Sequence, residues 1–282
     1  AAVISARGYE RLRPGWTDLD YIGWYVGSPA EAAAFEDEAR RAVAAAPDAR
    51  VPRMHLAEFL RLAGRNAEAL EQLEGADDDV FGLGRRAAIY LQMGRSGEAI
   101  EPLVQAIELE PDNATLWSNL GLARVRIGDY PGAIVALREA VALDPRLLPA
   151  IQNLSLALRR SGDTAAADTV TQQGEAVALA LATESFTAAQ ELLRRGDPDR
   201  AVAELQQAER LHPGIANTSY LLGVSFNMLG DGASAETSLK RCLQIQPTHP
   251  YAPLELAYAL ANQCRLTDAR DALLAYIAAG PP

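Results

Sequence analysis

Lysine is almost missing from this chain: of its 26 basic residues only Lys240 is not arginine. Such a bias reflects the composition of the source genome more than selection at each site, so an arginine carries no argument by its type alone. Basic charge as a whole is also in deficit. With 37 acidic residues, the 282-residue chain has a formal charge of -11 and a pI near 4.8. This argues against sequence-independent binding to nucleic acid or to an anionic membrane, since both need a net basic surface. Cysteine is limited to Cys242 and Cys264, too few for a disulfide framework and outside any metal-ligand spacing, so two free thiols are expected. No apolar run approaches the roughly 18 to 20 residues of a membrane-spanning helix, and neither insertion nor a membrane partner is expected. What is present is enough for a folded core: 49% hydrophobic and only 22% charged residues exclude a mainly disordered chain. The sequence opens Ala1-Ala2-Val3 without a basic segment followed by an apolar one. No signal peptide is read there. A cytoplasmic location is favoured, or a periplasmic or secreted one if a signal was removed before Ala1.

The dominant feature is self-similarity. Ala99, Ala133, Ala167, Ala201, Ala235 and Ala269 are spaced by 34 residues, with Ala69 displaced by four. Five residues before each stands Gly64, Gly94, Gly128, Gly162, Gly196, Gly230 and, at the last step, Cys264. Twelve residues after each alanine of the 34-residue series stands Pro111, Pro145, Leu179, Pro213, Pro247 or Pro281. Glycine can adopt the left-handed conformation that ends one helix, and proline cannot continue the next, so each repeat encodes two helices. A column of small residues (Ala57, Ala87, Gly121, Ser155, Ala189, Gly223, Ala257) marks where the first helix meets the second. Leu73, Leu103, Leu137, Leu205, Leu239 and Leu273 fill the space between, broken only by Thr171. Within one unit Ala133, Ile134, Leu137, Ala140 and Val141 form a single helical stripe, and strand alternation is absent.

The stretch Leu116-Trp117-Ser118-Asn119-Leu120-Gly121, with Gly128-Asp129-Tyr130, Ala133-Ile134 and Ala140 to Pro145, resembles the tetratricopeptide repeat family, and the resemblance extends from about Arg50 to Pro282. It implies an all-α fold, a right-handed α-solenoid of antiparallel helix pairs with a concave groove lined by the first helices and used to bind peptides or proteins. About seven repeats are expected in a solenoid over residues 50–282: 50–79, 80–113, 114–147, 148–181, 182–215, 216–249 and 250–282. Residues 1–49 read as a cap and a degenerate repeat. There Ser28-Pro29 starts a helix to about Ala46, residues 21–26 form a worn first helix, and Tyr9, Trp16, Tyr21, Trp24 and Tyr25 supply rings to cover the end of the array or to dock a partner.

Four departures stand out. Repeat 50–79 is four residues short and ends in Gly75-Ala76-Asp77-Asp78-Asp79, which reads as a solvated, kinked turn. Arg86 occupies a second leucine column, that of Leu120, Leu154, Leu222 and Leu256, and must either snorkel out of the packing, the favoured reading, or find a buried acid. Leu179 replaces proline, and residues 175–184 hold no helix breaker, so the second helix should run on, either as a hinge or without changing the path. The last helix, about Thr267 to Ala279, carries Ala269, Leu273, Tyr276 and Ile277 on its packing side, and homo-oligomer contact or further residues are expected to cover it.

No active site converges. His55 sits mid-helix, while His212 and His249 sit in turns beside Pro213 and Pro250. No catalytic, cofactor-binding or metal-binding residues are assigned, and no enzyme is expected. The two-carboxylate clamp of some family members is incomplete: Asn119 or Asn153 could be its central asparagine, but Gly84 and Ala88, or Ser118 and Leu122, stand where a basic residue and a second asparagine belong. The expected function is a scaffold binding a partner protein or peptide segment; the alternatives are a recruitment arm of a larger enzyme or secretion machine and a self-associating structural subunit. The candidate groove residues are Arg85, Gln92, Asn119, Arg126, Asn153, Arg160, Thr187 and Arg194. Asn119 and Arg126 are seven residues apart on one helical side, and the arrangement recurs twice at 34-residue intervals. Arginines so placed either complement helix C-termini or receive carboxylates of an acidic partner segment.

Overall fold

The computed structural model describes residues 29–47, 49–74 and 79–279. Helix occupies 83% of them, in fourteen helices, and no strand occurs among the described residues. Helix α1 (Pro29–Ala45) precedes three first-and-second-helix pairs: α2 (Arg50–Leu62) with α3 (Asn66–Leu73), α4 (Val80–Gln92) with α5 (Ser96–Leu109), and α6 (Ala114–Ile127) with α7 (Tyr130–Leu143). Then follow α8 (Leu148–Ser161), the long α9 (Thr164–Arg194), α10 (Pro198–Leu211), α11 (Ala216–Leu229), α12 (Gly232–Ile245), α13 (Ala252–Asn262) and α14 (Leu266–Ala279). The five aromatic residues of the first 25 positions, the proposed helix at 21–26 and Asp77–Asp78 lie outside the described residues.

Each helix boundary has a local cause. Gly128, Gly162 and Gly230 close α6, α8 and α11 at φ of 84°, 97° and 77°, which an L side chain resists. The next residue is Asp129, Asp163 or Asp231, and its carboxylate accepts the backbone N–H three residues on (Gly132, Ala166, Ser234), capping the second helix. Asp79, the last of the three aspartates, does the same for α4 by accepting from the Gly82 N–H at 2.8 Å. At the last step the glycine's place is taken by Cys264, the one non-glycine residue with positive φ (60°) among the described residues. Its side chain is exposed, so no packing depends on it. Cys264→Gly is expected to stabilise the protein by about 1 kcal/mol by removing the left-handed penalty. A urea midpoint unchanged or lowered would show that the turn is not strained.

The columns become the core. Ala69, Ala99, Ala133, Ala167, Ala201 and Ala235 and the leucines Leu73, Leu103, Leu137, Leu205 and Leu239 are all fully buried. A Cβ built on Gly121 would lie 2.3 Å from Leu137 Cγ, and one on Gly223 would lie 2.3 Å from Leu239 Cγ, so the leucine rests on bare backbone there. In the fourth repeat both columns change together. Ser155 Oγ lies 2.6 Å from Thr171 Oγ1 and both lie within reach of the Ala167 carbonyl, so one hydroxyl donates to the other and the second donates to that carbonyl, a polar pair replacing the apolar one. The leucine column ends at the surface: Leu273 is 38% exposed, Leu274 55% and Ile277 63%.

The chain divides into two compact units, Ala1–Thr171 and Gln172–Pro282, each a stack of antiparallel helix pairs. The division falls inside α9, whose 31 residues run through positions 175–184 where the breaker is missing. Its N-terminal part packs on α8 through Ala167 and Val170, and its C-terminal part packs on α10 through Ala189 and Leu193.

Candidate functional site: the first-helix faces

In the first unit, α2, α4, α6 and α8 are the first helices of successive pairs. Together they hold nine arginines and a single acid, Glu58. The second helices α3, α5 and α7 hold six glutamates and one arginine, Arg138. Charge is therefore segregated by helix within an acidic chain.

The geometry sorts these arginines. Arg50 pairs with Asp79, Arg53 donates to the Glu71 and Glu74 carbonyls, Arg124 donates to the Gly132 carbonyl near Asp129, and Arg159 pairs with Asp168. These four are tied to their own or adjacent helices. Glu58, 6% exposed, receives Arg61 Nε on Oε2 at 2.9 Å and Arg61 Nη2 on Oε1 at 2.6 Å, and Arg85 Nε stands 3.6 Å from Oε2. The hydrogen bond and the nearby carboxylate raise the pKa of Arg61. Arg85 is itself 8% exposed, with its guanidinium over the Phe81 ring, so it is a buried ion-pair member and not an open groove residue. Arg86 is half-buried.

Gln92 is exposed and bonds Arg61 twice, accepting from Nη1 and donating to its carbonyl. Arg126, one repeat on, makes the equivalent contact: its Nη1 donates at 2.6 Å to the carbonyl of Leu91, which also accepts the Gly94 N–H at 3.2 Å in the turn that ends α4. Arg126 also borders a shallow open depression of about 400 Å³ with Gly94, Ser96 and Ile127. Asn119 and Asn153 are half-buried, and neither makes a side-chain hydrogen bond within the described residues. Arg160 is exposed and likewise has no protein partner there. Two Asn/Arg steps thus occur in the first unit.

The third pair belongs to the other unit. Thr187 and Arg194 belong to the C-terminal part of α9, in the second unit. Thr187 Oγ1 donates to the Thr183 carbonyl of its own helix, and Arg194 is paired with Glu191 at 2.5 Å. A spacing of 34 residues implies stacking only if a turn separates the second helix from the next first helix, and α9 has none.

The second unit's first helices have another chemistry. α11 contains no acidic or basic residue and α13 only Glu255. His249, 5% exposed, caps α13: Nδ1 accepts the Ala252 N–H at 3.1 Å, Nε2 meets Asn217 Oδ1 at 3.2 Å, and the ring packs on Tyr220 with centroids 4.6 Å apart. Burial lowers its pKa, in keeping with a neutral acceptor. Cys242, at the position held by Ala106, Ala140 and Ala208 in other repeats, is buried with its thiol pushed up to about 11 by desolvation. Among the described residues no group of three His, Cys, Asp or Glu side chains is placed to hold a metal, and no helix is long and apolar enough to cross a membrane.

Comparison with known families agrees with the repeat columns. A profile described as TPR repeat matches residues 87–128, and profiles described as tetratricopeptide repeat match 186–250 and 226–282. The chain is a tetratricopeptide repeat protein. Protein FlbA of Caulobacter vibrioides (strain ATCC 19089 / CIP 103742 / CB 15) is 41% identical over 58 residues, 21% of this tetratricopeptide repeat chain and 10% of its own length. The chain therefore spans about a tenth of that relative. Among solved structures, YrrB, described as a TPR protein with an unusual peptide-binding site, is 18% identical with a TM-score of 0.41, covering 77% of this chain and 96% of its own. A tetratricopeptide repeat protein from Parabacteroides merdae ATCC 43184 is 15% identical with a TM-score of 0.46, covering 86% and 98%. Yeast Tom70 has the same identity and TM-score, covering 88% of this chain and 55% of its own. The segregation of charge between first and second helices was open to reading in the sequence, since it needs only the repeat columns and a count by helix; the arginine ladder alone did not reveal it.

Proposed function

We propose that this tetratricopeptide repeat protein is a protein-interaction scaffold whose first unit receives an acidic segment of a partner on the faces of α2, α4, α6 and α8. The observation that carries the reading is the gathering of arginine on those helices while the second helices keep the glutamates. Arg126 and Arg160 are the contacts, because neither guanidinium is engaged by a carboxylate, and arginine binds carboxylates in two-pronged fashion. Asn119 and Asn153 supply amides for the partner's backbone. Fluorescein-labelled hexaglutamate is a suitable probe. Arg126→Gln with Arg160→Gln is expected to weaken it about tenfold, from on the order of 1 kcal/mol or less per charged contact, and salt should weaken the wild type. Arg194→Gln is expected to change nothing, because it sits in the other unit against Glu191. Undiminished affinity in the double variant would reject the reading. Self-association through α14 is a second reading, favoured by the exposed Leu274 and Ile277.

A further inference from the structure

Three carboxylates that pack between helices have an arginine or lysine beside them: Glu58 with Arg61, Glu209 with Arg241, Glu236 with Lys240 and Arg265. Glu255 on α13 is different. It is half-buried and has no cationic partner among the described residues. Its carboxylate is held instead by a neutral amide, Asn227 of α11, whose Nδ2 donates to Oε2 at 2.9 Å and to the Glu255 carbonyl at 3.0 Å. One carboxylate oxygen is thus fixed in place and the charge is left uncancelled.

Two tyrosines share its side of the helix. Tyr251 at the N-cap of α13, Glu255 and Tyr258 are spaced by four and three residues, so all three lie along one side of the helix. Tyr251 is 48% exposed and Tyr258 59%, a large investment of open ring surface for one short helix. Tyr220 reaches the same neighbourhood from α11: its hydroxyl is held above the usual tyrosine range first by burial and then by the charge of Glu255. An aromatic face attracts a cation through its quadrupole, and a fixed carboxylate adds a directed hydrogen-bond acceptor. An anionic or purely apolar ligand would leave the Glu255 charge uncompensated as it is desolvated.

We infer that Tyr251, Glu255 and Tyr258 form a binding site for a cationic side chain, arginine or lysine, presented by a partner protein. The site lies wholly within the second unit and has the opposite charge preference to the arginine-bearing helices of the first. A partner's basic residue stacks on the tyrosine rings and closes an ion pair with Glu255 that the chain itself does not make.

The test uses the full chain and a blocked pentapeptide with arginine between alanines, against the same peptide with citrulline, which keeps the shape and loses the charge. The arginine peptide is expected to shift the ring resonances of Tyr251 and Tyr258 saturably, and the citrulline peptide to leave them in place. Tyr258→Leu, which keeps helix and apolar area, should weaken binding about three- to fivefold, whereas Tyr258→Phe should retain it. Glu255→Gln, which can still bond Asn227, should weaken binding at least as much. Arg126→Gln with Arg160→Gln should leave this binding intact, so failure here and failure of the acidic-segment reading are separately visible. Equal binding of the citrulline peptide, no saturable shift at these rings, or unchanged affinity in a normally helical Tyr258→Leu protein would overturn the assignment.

Discussion

Replacing Glu58 by methionine is expected to destabilise the first unit by about 3 to 5 kcal/mol, the cost of leaving buried charge without its partner. The Glu58 and Arg85 side chains are 7% and 9% exposed, and Arg61 is 25% exposed. Removing the carboxylate leaves two guanidiniums facing each other, one of them beyond the reach of bulk water. The Phe81 ring offsets little of this, since a cation over a ring gains only about 1 to 2 kcal/mol. Removing the charges together should cost far less: Glu58→Met with Arg85→Met and Arg61→Leu replaces ions by apolar groups of similar length and lifts the desolvation penalty as well. Urea unfolding of the single and triple variants decides the matter. A loss under about 1 kcal/mol for Glu58→Met would mean that water reaches the cluster and that its charges are screened like a surface pair.

Proline at position 179 is the second large effect. Leu179 is 46% exposed in the middle of α9, so Leu179→Pro removes little packing and acts on the backbone. It deletes one hydrogen bond of the helix and drives its ring against the carbonyl four residues earlier, at a cost of about 3 kcal/mol or more. The same residue type is harmless at Pro145 and Pro213 because those positions follow the end of a second helix. Hydrogen exchange should therefore accelerate over residues 175–183 in the variant and leave α6 and α12 protected, while Leu179→Ala should behave as wild type. Protection retained through position 179 in the proline variant would mean that the helix is held by something other than its own backbone pairing.

Much of the fold was legible because its causes are local and repeated. The glycine column, the aspartate that follows it and the small residue opposite each leucine are short-range signals, and each corresponds to a left-handed turn, a capping carboxylate or a close backbone approach. The continuation of α9 was legible as a missing breaker at Leu179. What the pattern did not carry was pairing between helices thirty residues apart. Arg86 breaks a leucine column and drew attention, yet Arg85 is the residue taken inward, because Glu58 on α2 waits for it. Ser155 and Thr171 each look like a defect in their own column and are explained only by each other. Arg194 matches Arg126 and Arg160 in spacing, but spacing counts residues and not turns. The Tyr251–Glu255–Tyr258 face was missed because it breaks no column; its signal is a charge lacking a partner, which only side-chain geometry exposes.

The four residues absent from repeat 50–79 have a consequence for how such a chain tolerates insertions and deletions. Gln92 reaches the Arg61 carbonyl across 31 positions, and Arg126 reaches the Leu91 carbonyl across 35, yet the two contacts are equivalent. The deletion has been absorbed on the second helix, where α3 has 8 residues and α5 and α7 have 14 each. Length can thus change on the second-helix side of a repeat while the first helices keep their register, so residues can be lost behind a first-helix face without carrying that face out of line.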